Sequence, residues 1–389
     1  MNQRRNSGRH FLQIPGPTNV PDRVLNAIQQ PTIDHRGPGF RDLTADVLNG
    51  LGQVFQTRSK VVVFPSSGTG AWEAALVNTL SAGDRVLMYE TGHFAQLWYG
   101  IAERLGLDAQ LLPGDWRHPV DSVAIGEALA KDVEHCIKAV CVVHNETSTG
   151  AMSDVAAVRA VIDETRHPAL LMVDTISSLA SIDFRHDEWG VDVTVGGSQK
   201  GLMLPPGLGF NAVSDKALAA SLGANLPRAY WNWQDMLDAN NNGFFPYTPA
   251  TNLLYGLREA LSMLLDEGLE NVFERHRRLA EATRCAVAAW QLELLCLDSA
   301  ARSHSLTAVQ LPEGADADAF RATVLDRFNM SLGNGLGRLA GRVFRIGHLG
   351  DFNDLMLIGT LGGVEMGLAA SGIAHQRGGV TAAMDYLSG

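Results

Sequence analysis

A single lysine stands in a stretch whose composition suits amine chemistry. The run VDVTVGGSQKGLMLPPGLGF (Val191–Phe210) is typical of a short apolar strand that leads into two glycines, and Lys200 is its only cation. Apolar flanks remove water from an ammonium group, and desolvation favours the neutral amine that a Schiff-base lysine needs. A solvated lysine in a surface turn is the alternative. This stretch alone leaves both interpretations open.

The segment Ser66–Gly70, SSGTG, lies between a predicted strand and a predicted helix. Gly68 lets backbone N–H groups approach a ligand, Ser67 and Thr69 add hydroxyl donors, and the N-terminus of the following helix favours an anion. The segment lacks the GK[ST] ending of a nucleotide P-loop and the spacing of GxGxxG. We interpret it as a cradle for one phosphate monoester. The alternative is an ordinary strand-to-helix turn, which also uses Gly and Ser.

Two charged residues stand in apolar surroundings. Asp174 follows four apolar residues in LLMVDTISS, and a carboxylate at the end of a buried strand is costly unless it is paired. A protonated pyridine nitrogen is one such partner, and a helix cap or turn is the alternative role. Arg345, within VFRIGH, favours an anion such as a substrate carboxylate. A structural ion pair is the other explanation for it.

A further polar cluster follows another predicted strand in VHNETSTG, where Asn145, Glu146 and Thr147 reach the same sheet edge. HExxH-like metal spacing is absent, so His144 and His348 are expected to be core or pocket histidines and no metal site is predicted. The sequence thus combines a phosphate cradle, a carboxylate for a ring nitrogen, a Schiff-base lysine and a carboxylate-binding arginine. Pyridoxal phosphate is the cofactor that uses the first three together.

The bulk composition limits the class of protein. A chain of 389 residues with 46% hydrophobic and 19% charged residues indicates a globular protein of two domains. The net charge of -11 argues against nucleic-acid and anionic-membrane partners. Four cysteines without CxxC pairing predict neither a zinc site nor a disulfide framework. Without a signal peptide or a membrane-length apolar run, we expect a cytoplasmic protein.

Continuously apolar strands separated by helical patterns predict an α/β fold with a mostly parallel sheet covered on both faces. Seven strands are expected, at Lys60–Phe64, Asp84–Tyr89, Ala109–Leu112, Lys138–Val143, Ala169–Val173, Val191–Val195 and Gly207–Val213. Right-handed crossovers then bring the loops at the strands' carboxyl ends to one edge.

The sequence predicts three parts: an N-terminal arm over residues 1–20, a large domain over 21–255 and a smaller α+β domain over 256–389. The arm, at least to Gln13, is expected not to form a packed element. A long helical region follows at 252–290 with an interruption near Gly268. The small domain is expected to contain strands at Leu292–Leu297, Leu306–Leu311 and Arg342–Ile346, and helices at Ala317–Phe328 and Asp354–Ala369. Its GNGLG segment lacks the context of a dinucleotide fingerprint.

Seven ordered segments resemble a known family: PGPTNVPDRV, FPSSGTGAWEAAL, VVHNETSTG, VDTISS, GSQKGLMLPPG, PYTP and VFRIGHLG. Their order is similar to that in fold-type-I pyridoxal-phosphate aminotransferases that use glyoxylate, namely the serine–glyoxylate and alanine–glyoxylate aminotransferase family and its aspartate–glyoxylate relatives. The resemblance extends from about Phe11 to Gly372. It implies a large domain with a mostly parallel seven-stranded sheet, a small α+β C-terminal domain and pyridoxal 5'-phosphate as cofactor.

The resemblance also implies roles for individual residues. Lys200 would form the Schiff base and shuttle the proton, Asp174 would pair with the ring nitrogen, and Arg345 would bind the substrate α-carboxylate. Ile176 and Phe94 would cover the two ring faces; some relatives carry Trp where this chain has Phe94. The remaining contacts would come from Ser67, Gly68, Thr69 and Gln199 to the phosphate, Thr147 to the ring hydroxyl region, and Thr248 to the phosphate of a neighbouring subunit.

A homodimer with composite sites follows from the expected role of Thr248, and a tetramer is also open. The expected reaction is transfer of the amino group of L-serine to glyoxylate, giving hydroxypyruvate and glycine. Alanine or aspartate as donor, another pyridoxal-phosphate reaction such as a lyase, a desulfurase or a phosphonate-amine transaminase, and a non-catalytic regulator are the alternatives. The sequence does not decide the donor, and it does not explain His35 and Arg36.

Overall fold

The computed structural model describes residues 8–389. Its strands, numbered along the chain, are β1 (Phe11–Gln13), β2 (Lys60–Ser66), β3 (Arg85–Tyr89), β4 (Asp108–Leu112), β5 (Ile137–Val143), β6 (Asn145–Glu146), β7 (Ala151–Met152), β8 (Leu170–Asp174), β9 (Val193–Gly197), β10 (Gly207–Val213), β11 (Glu293–Leu294), β12 (Leu306–Gln310), β13 (Met330–Asn334) and β14 (Val343–Gly347).

The helices alternate with these strands in the first half of the chain and dominate the second half. They are α1 (Asp22–Ile28), α2 (Pro38–Val54), α3 (Gly68–Thr79), α4 (His93–Arg104), α5 (Ser122–Lys131), α6 (Val155–Glu164), α7 (Asp215–Ser221), α8 (Trp233–Asn240), α9 (Thr251–Glu267), α10 (Leu269–Ala289), α11 (Ala317–Phe328), α12 (Asp354–Ala370) and α13 (Gly379–Ser388).

The large sheet has seven strands in the order β2-β10-β9-β8-β5-β3-β4. Neighbours from β9 to β4 pair in parallel. Strand β10 runs antiparallel to both of its neighbours, so β2 and β9 point the same way. Strands β8 and β9 are buried along their whole length, as a sheet covered on both faces requires. The predicted α/β fold with a mostly parallel seven-stranded sheet is confirmed.

The smaller sheet has the order β1-β13-β14-β12-β11, and only its β1–β13 pairing is parallel. Strand β1 corrects the expectation of an unpacked arm, because Phe11–Gln13 pairs in register with Met330–Leu332. The first seven residues of the expected arm lie outside the described residues. The strand expected at Leu292–Leu297 is limited to Glu293–Leu294. The mixed sheet confirms a smaller α+β C-terminal part, while the exact domain limits stay predictions.

Two helices share the long helical region, as its interruption near Gly268 predicted. Helix α9 ends and α10 begins at Gly268, whose φ of 84° suits a residue without a Cβ atom. One apolar core lies on the large sheet beneath α2, α3 and α9. A separate core joins α10, α11 and α12 to the small sheet. None of the helices within residues 8–389 is long and apolar enough to cross a bilayer.

Helix α12 offers a matched pair of leucines for a test of the small core. Leu361 is fully buried in that core, whereas Leu355 is 82% exposed. Leu361→Ala is expected to lower the free energy of unfolding by about 3 kcal/mol, because it removes buried apolar atoms and leaves a cavity. Leu355→Ala is expected to change it by less than about 0.5 kcal/mol. Urea unfolding of both variants measures the difference, and equal losses would contradict this assignment of the core.

Candidate active site

The topology brings four chain segments to one edge of the large sheet. Asp174 ends β8, the NETSTG segment follows β5, Lys200 lies three residues after β9, and Ser67 follows β2. These four strands point the same way, so their carboxyl ends meet at a single edge. The structure therefore collects, from distant parts of the sequence, the side chains that were expected to act together.

Lys200 is buried, and its Nζ donates a hydrogen bond to the backbone oxygen of Pro15. Burial, together with a smaller effect of the nearby Arg345, lowers the pKa of the Lys200 amine to about 7, and Asp174 opposes this shift. A lysine with a pKa near 7 has a substantial neutral fraction at neutral pH. The interpretation of Lys200 as a solvated surface lysine is therefore wrong.

Asp174 is also buried, and its Oδ1 accepts the backbone N–H of Ile176 at 2.6 Å. Burial raises the pKa of the Asp174 carboxyl to about 7, with a further contribution from Glu146 and an opposing one from the Ile176 N–H. A cationic N–H partner would restore the charged form of such a carboxylate. The arrangement suits a protonated ring nitrogen, as the sequence analysis expected.

The SSGTG segment has the properties of an anion cradle. Helix α3 starts at Gly68, and its N-cap residue Ser67 makes no side-chain cap hydrogen bond. A Cβ atom at Gly68 would lie 2.2 Å from Cδ1 of Ile176, so a side chain at this position would push the Ile176 side chain aside. Both Ser67 and Thr69 are exposed at this helix start. The free first-turn N–H groups and the hydroxyls form a donor set for a phosphate.

Gln199 carries an amide oxygen beside this cradle. Its Oε1 is buried and has no hydrogen-bond partner among residues 8–389. A Cβ atom built on Gly197 would lie 3.3 Å from this oxygen and 3.5 Å from the backbone nitrogen of Gly68, so Gln199 and the cradle flank the same point. A buried amide oxygen without a partner is costly and needs a donor, whereas the side-chain NH2 of Gln199 is the group that can donate to a phosphate.

Arg345 is buried without a carboxylate partner. Its Nε donates to the backbone oxygen of Asn334 at 2.7 Å, and its Nη1 donates to that of Thr147 at 2.8 Å. None of the salt bridges in the described part of the chain includes this guanidinium. The structural ion pair is therefore wrong as an explanation of Arg345. A buried cation held only by carbonyl groups is prepared for an external anion.

The NETSTG segment holds the floor of the site together. The hydroxyl of Thr147 donates to Ser177 Oγ at 2.7 Å, and the side-chain amide of Asn145 donates to the same oxygen at 2.8 Å. Thr147 is thus tied both to the segment after β8 and, through its carbonyl group, to Arg345. Its expected position near the ring hydroxyl remains a prediction.

Glu146 has a contact that the sequence analysis did not foresee. Its fully buried carboxylate accepts hydrogen bonds from the backbone N–H groups of Phe94 at 3.3 Å and of Ala95 at 3.2 Å. It also accepts the backbone N–H and the hydroxyl of Ser148. This carboxylate caps the N-terminus of α4, where negative charge is favoured. It thereby fixes Phe94, whose ring is half-buried and lies 6.5 Å from that of Trp72 between centroids.

Thr248 stands apart from the other expected residues. It is exposed, and it makes no hydrogen bond to Ser67, Gly68 or Thr69 within the described chain. The neighbouring Tyr247 stacks on Tyr230, whose hydroxyl donates to the backbone oxygen of Pro65 just before the cradle. The expected contact of Thr248 with a second subunit therefore stays a prediction.

The structure gives no chemical role to two of the residues that the sequence left unexplained. His35 is half-buried and Arg36 is exposed in the turn between α1 and α2, and no observation gives either a role in chemistry. Pro15 and Gly16 were missed, because the sequence showed them only as a Pro/Gly entry to the chain. Their position on Lys200 becomes visible only in three dimensions.

The comparisons with known proteins agree with this geometry. Residues 10–336 match the aminotransferase class-V family. The chain is 49% identical to the serine–glyoxylate aminotransferase of Methylorubrum extorquens, covering 98% of this chain and 97% of the relative. It is 45% identical to the L-aspartate–glyoxylate aminotransferase of Paracoccus denitrificans, covering 96% and 95%. The structure of ureidoglycine–glyoxylate aminotransferase from Bacillus subtilis superposes with a TM-score of 0.91 at 27% identity and covers both chains fully.

The chain belongs to the class-V aminotransferase family. It is an enzyme of the aminotransferase class EC 2.6.1, and its cofactor is pyridoxal 5'-phosphate. The residues present fit this cofactor. The bare Gly68 and the free N–H groups at the start of α3 mark the phosphate end, while the buried carboxyl of Asp174 marks the ring-nitrogen end.

The capping role of Glu146 can be tested with a matched glutamate of α4. Glu146→Gln keeps the size but places an NH2 group among four donors, so we expect the free energy of unfolding to fall by about 2 kcal/mol. Glu103, whose carboxylate accepts the hydroxyl of Tyr99 at 2.7 Å and no other group among residues 8–389, is the control. Glu103→Gln is expected to cost less than about 0.5 kcal/mol. Urea unfolding measures both, and an unchanged midpoint for Glu146→Gln would refute the cap.

Proposed function

We propose that this aminotransferase transfers the amino group of L-serine to glyoxylate, giving hydroxypyruvate and glycine. The names of its relatives from Methylorubrum extorquens and Paracoccus denitrificans support glyoxylate as the acceptor. Serine is favoured as donor, since relatives named for serine are 45–49% identical over nearly the whole chain. The observation that carries the proposal is the buried Arg345, which has no carboxylate partner and lies close enough to Lys200 to lower its pKa.

The proposed contacts of the cofactor follow from the donor set. Ser67, Gly68, Thr69 and Gln199 would hold the phosphate, and Asp174 the ring nitrogen. Ile176 and Phe94 would cover the ring, Thr147 would lie near its hydroxyl group, and Lys200 would hold its aldehyde. When bound, pyridoxal phosphate supplies an electron-accepting ring that lets the α-proton of an amino acid leave.

The chain's own residues then bind the substrate and move the proton. Arg345 binds the substrate α-carboxylate, because a planar guanidinium pairs with a carboxylate through two hydrogen bonds. The amine of Lys200 takes up the proton from the substrate α-carbon, since its pKa near 7 balances the neutral and charged forms. Asp174 keeps the ring nitrogen protonated. The burial of all three side chains excludes water from the transfer.

Other donors and other reactions on the same fold remain alternatives. Aspartate is supported by the relative from Paracoccus denitrificans, and alanine differs from serine by one hydroxyl group. A desulfurase needs a cysteine in an active-site loop. The four cysteines lie elsewhere: Cys141 and Cys296 are buried, and Cys136 and Cys285 lie outside the segments that form the site.

The activity is tested by a panel of amino donors with glyoxylate as acceptor. We expect the highest kcat/KM with L-serine, by about tenfold over alanine and aspartate, because small differences between substrates change the transition-state free energy by only about 1–3 kcal/mol. Glycine and hydroxypyruvate should appear in equal amounts. Consumption of serine without hydroxypyruvate would refute the transaminase reaction. A higher kcat/KM with aspartate would refute serine as the donor.

We further propose a homodimer in which Thr248 contacts the phosphate of the partner's site. The exposure of Thr248, next to the stacked pair Tyr230 and Tyr247 at the phosphate end, supports this proposal. Each site would then combine Lys200 of one chain with Thr248 of the other. A composite site therefore predicts which sites of a hybrid dimer, made of two different variants, are intact.

Mixed dimers of two inactive variants test the composite site. In a hybrid of Lys200→Ala and Thr248→Arg chains, one site carries both changes and the other carries neither. Random exchange should therefore restore activity to about a quarter of the sites. Lys200→Ala mixed with Arg345→Ala is the control, because both residues belong to the same chain's site and no intact site forms. Failure of the first mixture to regain activity, with exchange verified by mass, would contradict the composite site.

A further inference from the structure

We propose that the turn Pro15–Gly16–Pro17 positions the catalytic amine: the Pro15 carbonyl group holds Nζ of Lys200, and glycine at position 16 leaves the space for the lysine side chain. The functional consequence rests on the proposed transaminase role of Lys200. The contact itself is independent of the reaction. Pro15 and Gly16 are positioning residues in this proposal, since they touch the catalytic side chain.

The turn and the lysine side chain are in direct contact. The backbone oxygen of Pro15 accepts a hydrogen bond from Nζ, and no other acceptor contacts this amine within residues 8–389. A Cβ atom at Gly16 would lie 2.4 Å from Cδ, 2.7 Å from Cε and 2.7 Å from Nζ of Lys200. Gly16 also has a φ of 92°, which L side chains rarely adopt. Any side chain at position 16 would therefore displace the lysine from its path.

Hydrogen bonds from Thr18 also hold the turn against the backbone that carries the lysine. The N–H of Thr18 donates to the backbone oxygen of Gln199 at 3.1 Å, and its hydroxyl donates to that of Lys200 at 3.2 Å. Thr18 is buried, so water does not compete for these bonds. These two bonds fix the turn relative to both residues of the Gln199–Lys200 pair.

The small sheet packs against the other side of the turn. A Cβ atom at Gly347 would lie 2.1 Å from the backbone oxygen of Ile14, and one at Gly333 would lie 2.7 Å from Cδ of Pro15 and 3.2 Å from Nε of Arg345. Because these two positions carry no side chain, the turn can pack directly against the small sheet. Strand β1 continues this packing through its parallel pairing with β13. The turn thus lies between the Arg345 strand and Lys200 and packs against both.

The chemical consequence concerns the amine when it is not bonded to the cofactor. A carbonyl oxygen accepts an N–H from either the neutral amine or the ammonium group, but it does not take the proton itself. The proton that Lys200 takes from the substrate therefore stays on Nζ until it is returned. The turn keeps the amine near the reacting atoms in both forms, which is a requirement for an efficient proton shuttle.

A double-mutant cycle tests the contact without reference to activity. Four full-length chains are compared by urea unfolding without added cofactor: wild type, Gly16→Ala, Lys200→Ala and the double variant. Gly16→Ala should lower the unfolding midpoint clearly in the wild-type background and much less in the Lys200→Ala background. In the second background the lysine side chain that the new Cβ atom would meet is absent. Equal losses in the two backgrounds would overturn the proposal.

Gly83→Ala is the matched control for backbone strain. Gly83 has a φ of 82° and nothing within 4 Å of a Cβ atom built on it. It therefore reports the cost of a left-handed alanine without a collision. Gly83→Ala should lower the midpoint equally in both backgrounds.

The consequence for the amine is read from cofactor binding. Pyridoxal phosphate is titrated into each chain, and the visible absorption band of the lysine-bound cofactor is recorded. Gly16→Ala should raise the apparent Kd about tenfold, because the displaced amine no longer reaches the aldehyde without rearrangement of packed atoms. Gly83→Ala should leave the Kd within about twofold of wild type. An unchanged Kd for Gly16→Ala would refute the positioning role.

A second variant keeps the test decisive if Gly16→Ala does not fold. If the double variant folds and Gly16→Ala by itself does not, the collision between position 16 and the Lys200 side chain is supported. If neither chain with Gly16→Ala folds, Thr18→Val takes its place, since it removes the hydroxyl bond to Lys200 without a new collision. It should raise the Kd several-fold, and an unchanged Kd would refute the proposal. Absence of the visible band from wild type would instead refute the proposed function, while the unfolding cycle would still report on the contact.

Discussion

The burial of one amine is the constraint on which the rest of this structure depends. Water favours the ammonium form of lysine, and its removal shifts the balance to the neutral nucleophile. Lys200 lies where three elements meet: the segment after β9, the N-terminal turn and the small sheet. Arg345 and Asp174 then act on its pKa in opposite directions. The resulting value near neutrality suits a group that must take up and return a proton.

The sheet topology explains how a long chain builds so small a site. Strands β2, β9, β8 and β5 all end at one edge, although β10 runs in the opposite direction between β2 and β9. Each strand end contributes one function: the anion cradle, the amine, the carboxylate and the polar floor. The small sheet adds Arg345 from β14, which is tied to the floor through the carbonyl group of Thr147. Neither sheet contains a complete site.

Much of this could be predicted from the sequence, because the signals were local. Strand Gly207–Val213 and helix Ala317–Phe328 have the expected limits, since apolar runs and helical spacing depend only on neighbours along the chain. Lys200, Asp174 and the Ser67–Thr69 cradle stood out as polar groups at the ends of apolar strands. The ordered motifs of the family then joined them into one site.

The remaining features depend on contacts that no local pattern records. Strand β1 has three residues, too few for a periodic signal, and it is defined only by β13, more than 300 residues away along the chain. Gly16 resembles any turn glycine until Lys200 is placed against it. The choice between an ion pair and an anion site for Arg345 also required its neighbours, because the decisive fact is that its guanidinium bonds to carbonyl groups and pairs with no carboxylate in the described chain.

The central claim is tested most directly by the titration of Lys200 itself. The chain has five lysines, namely Lys60, Lys131, Lys138, Lys200 and Lys216, so an NMR titration of 13C-labelled lysine in the cofactor-free protein should give five resolvable Cε signals. We expect one signal, absent from Lys200→Ala, to titrate near pH 7. Titration of all five signals together would show that the amine is solvated and would contradict the account.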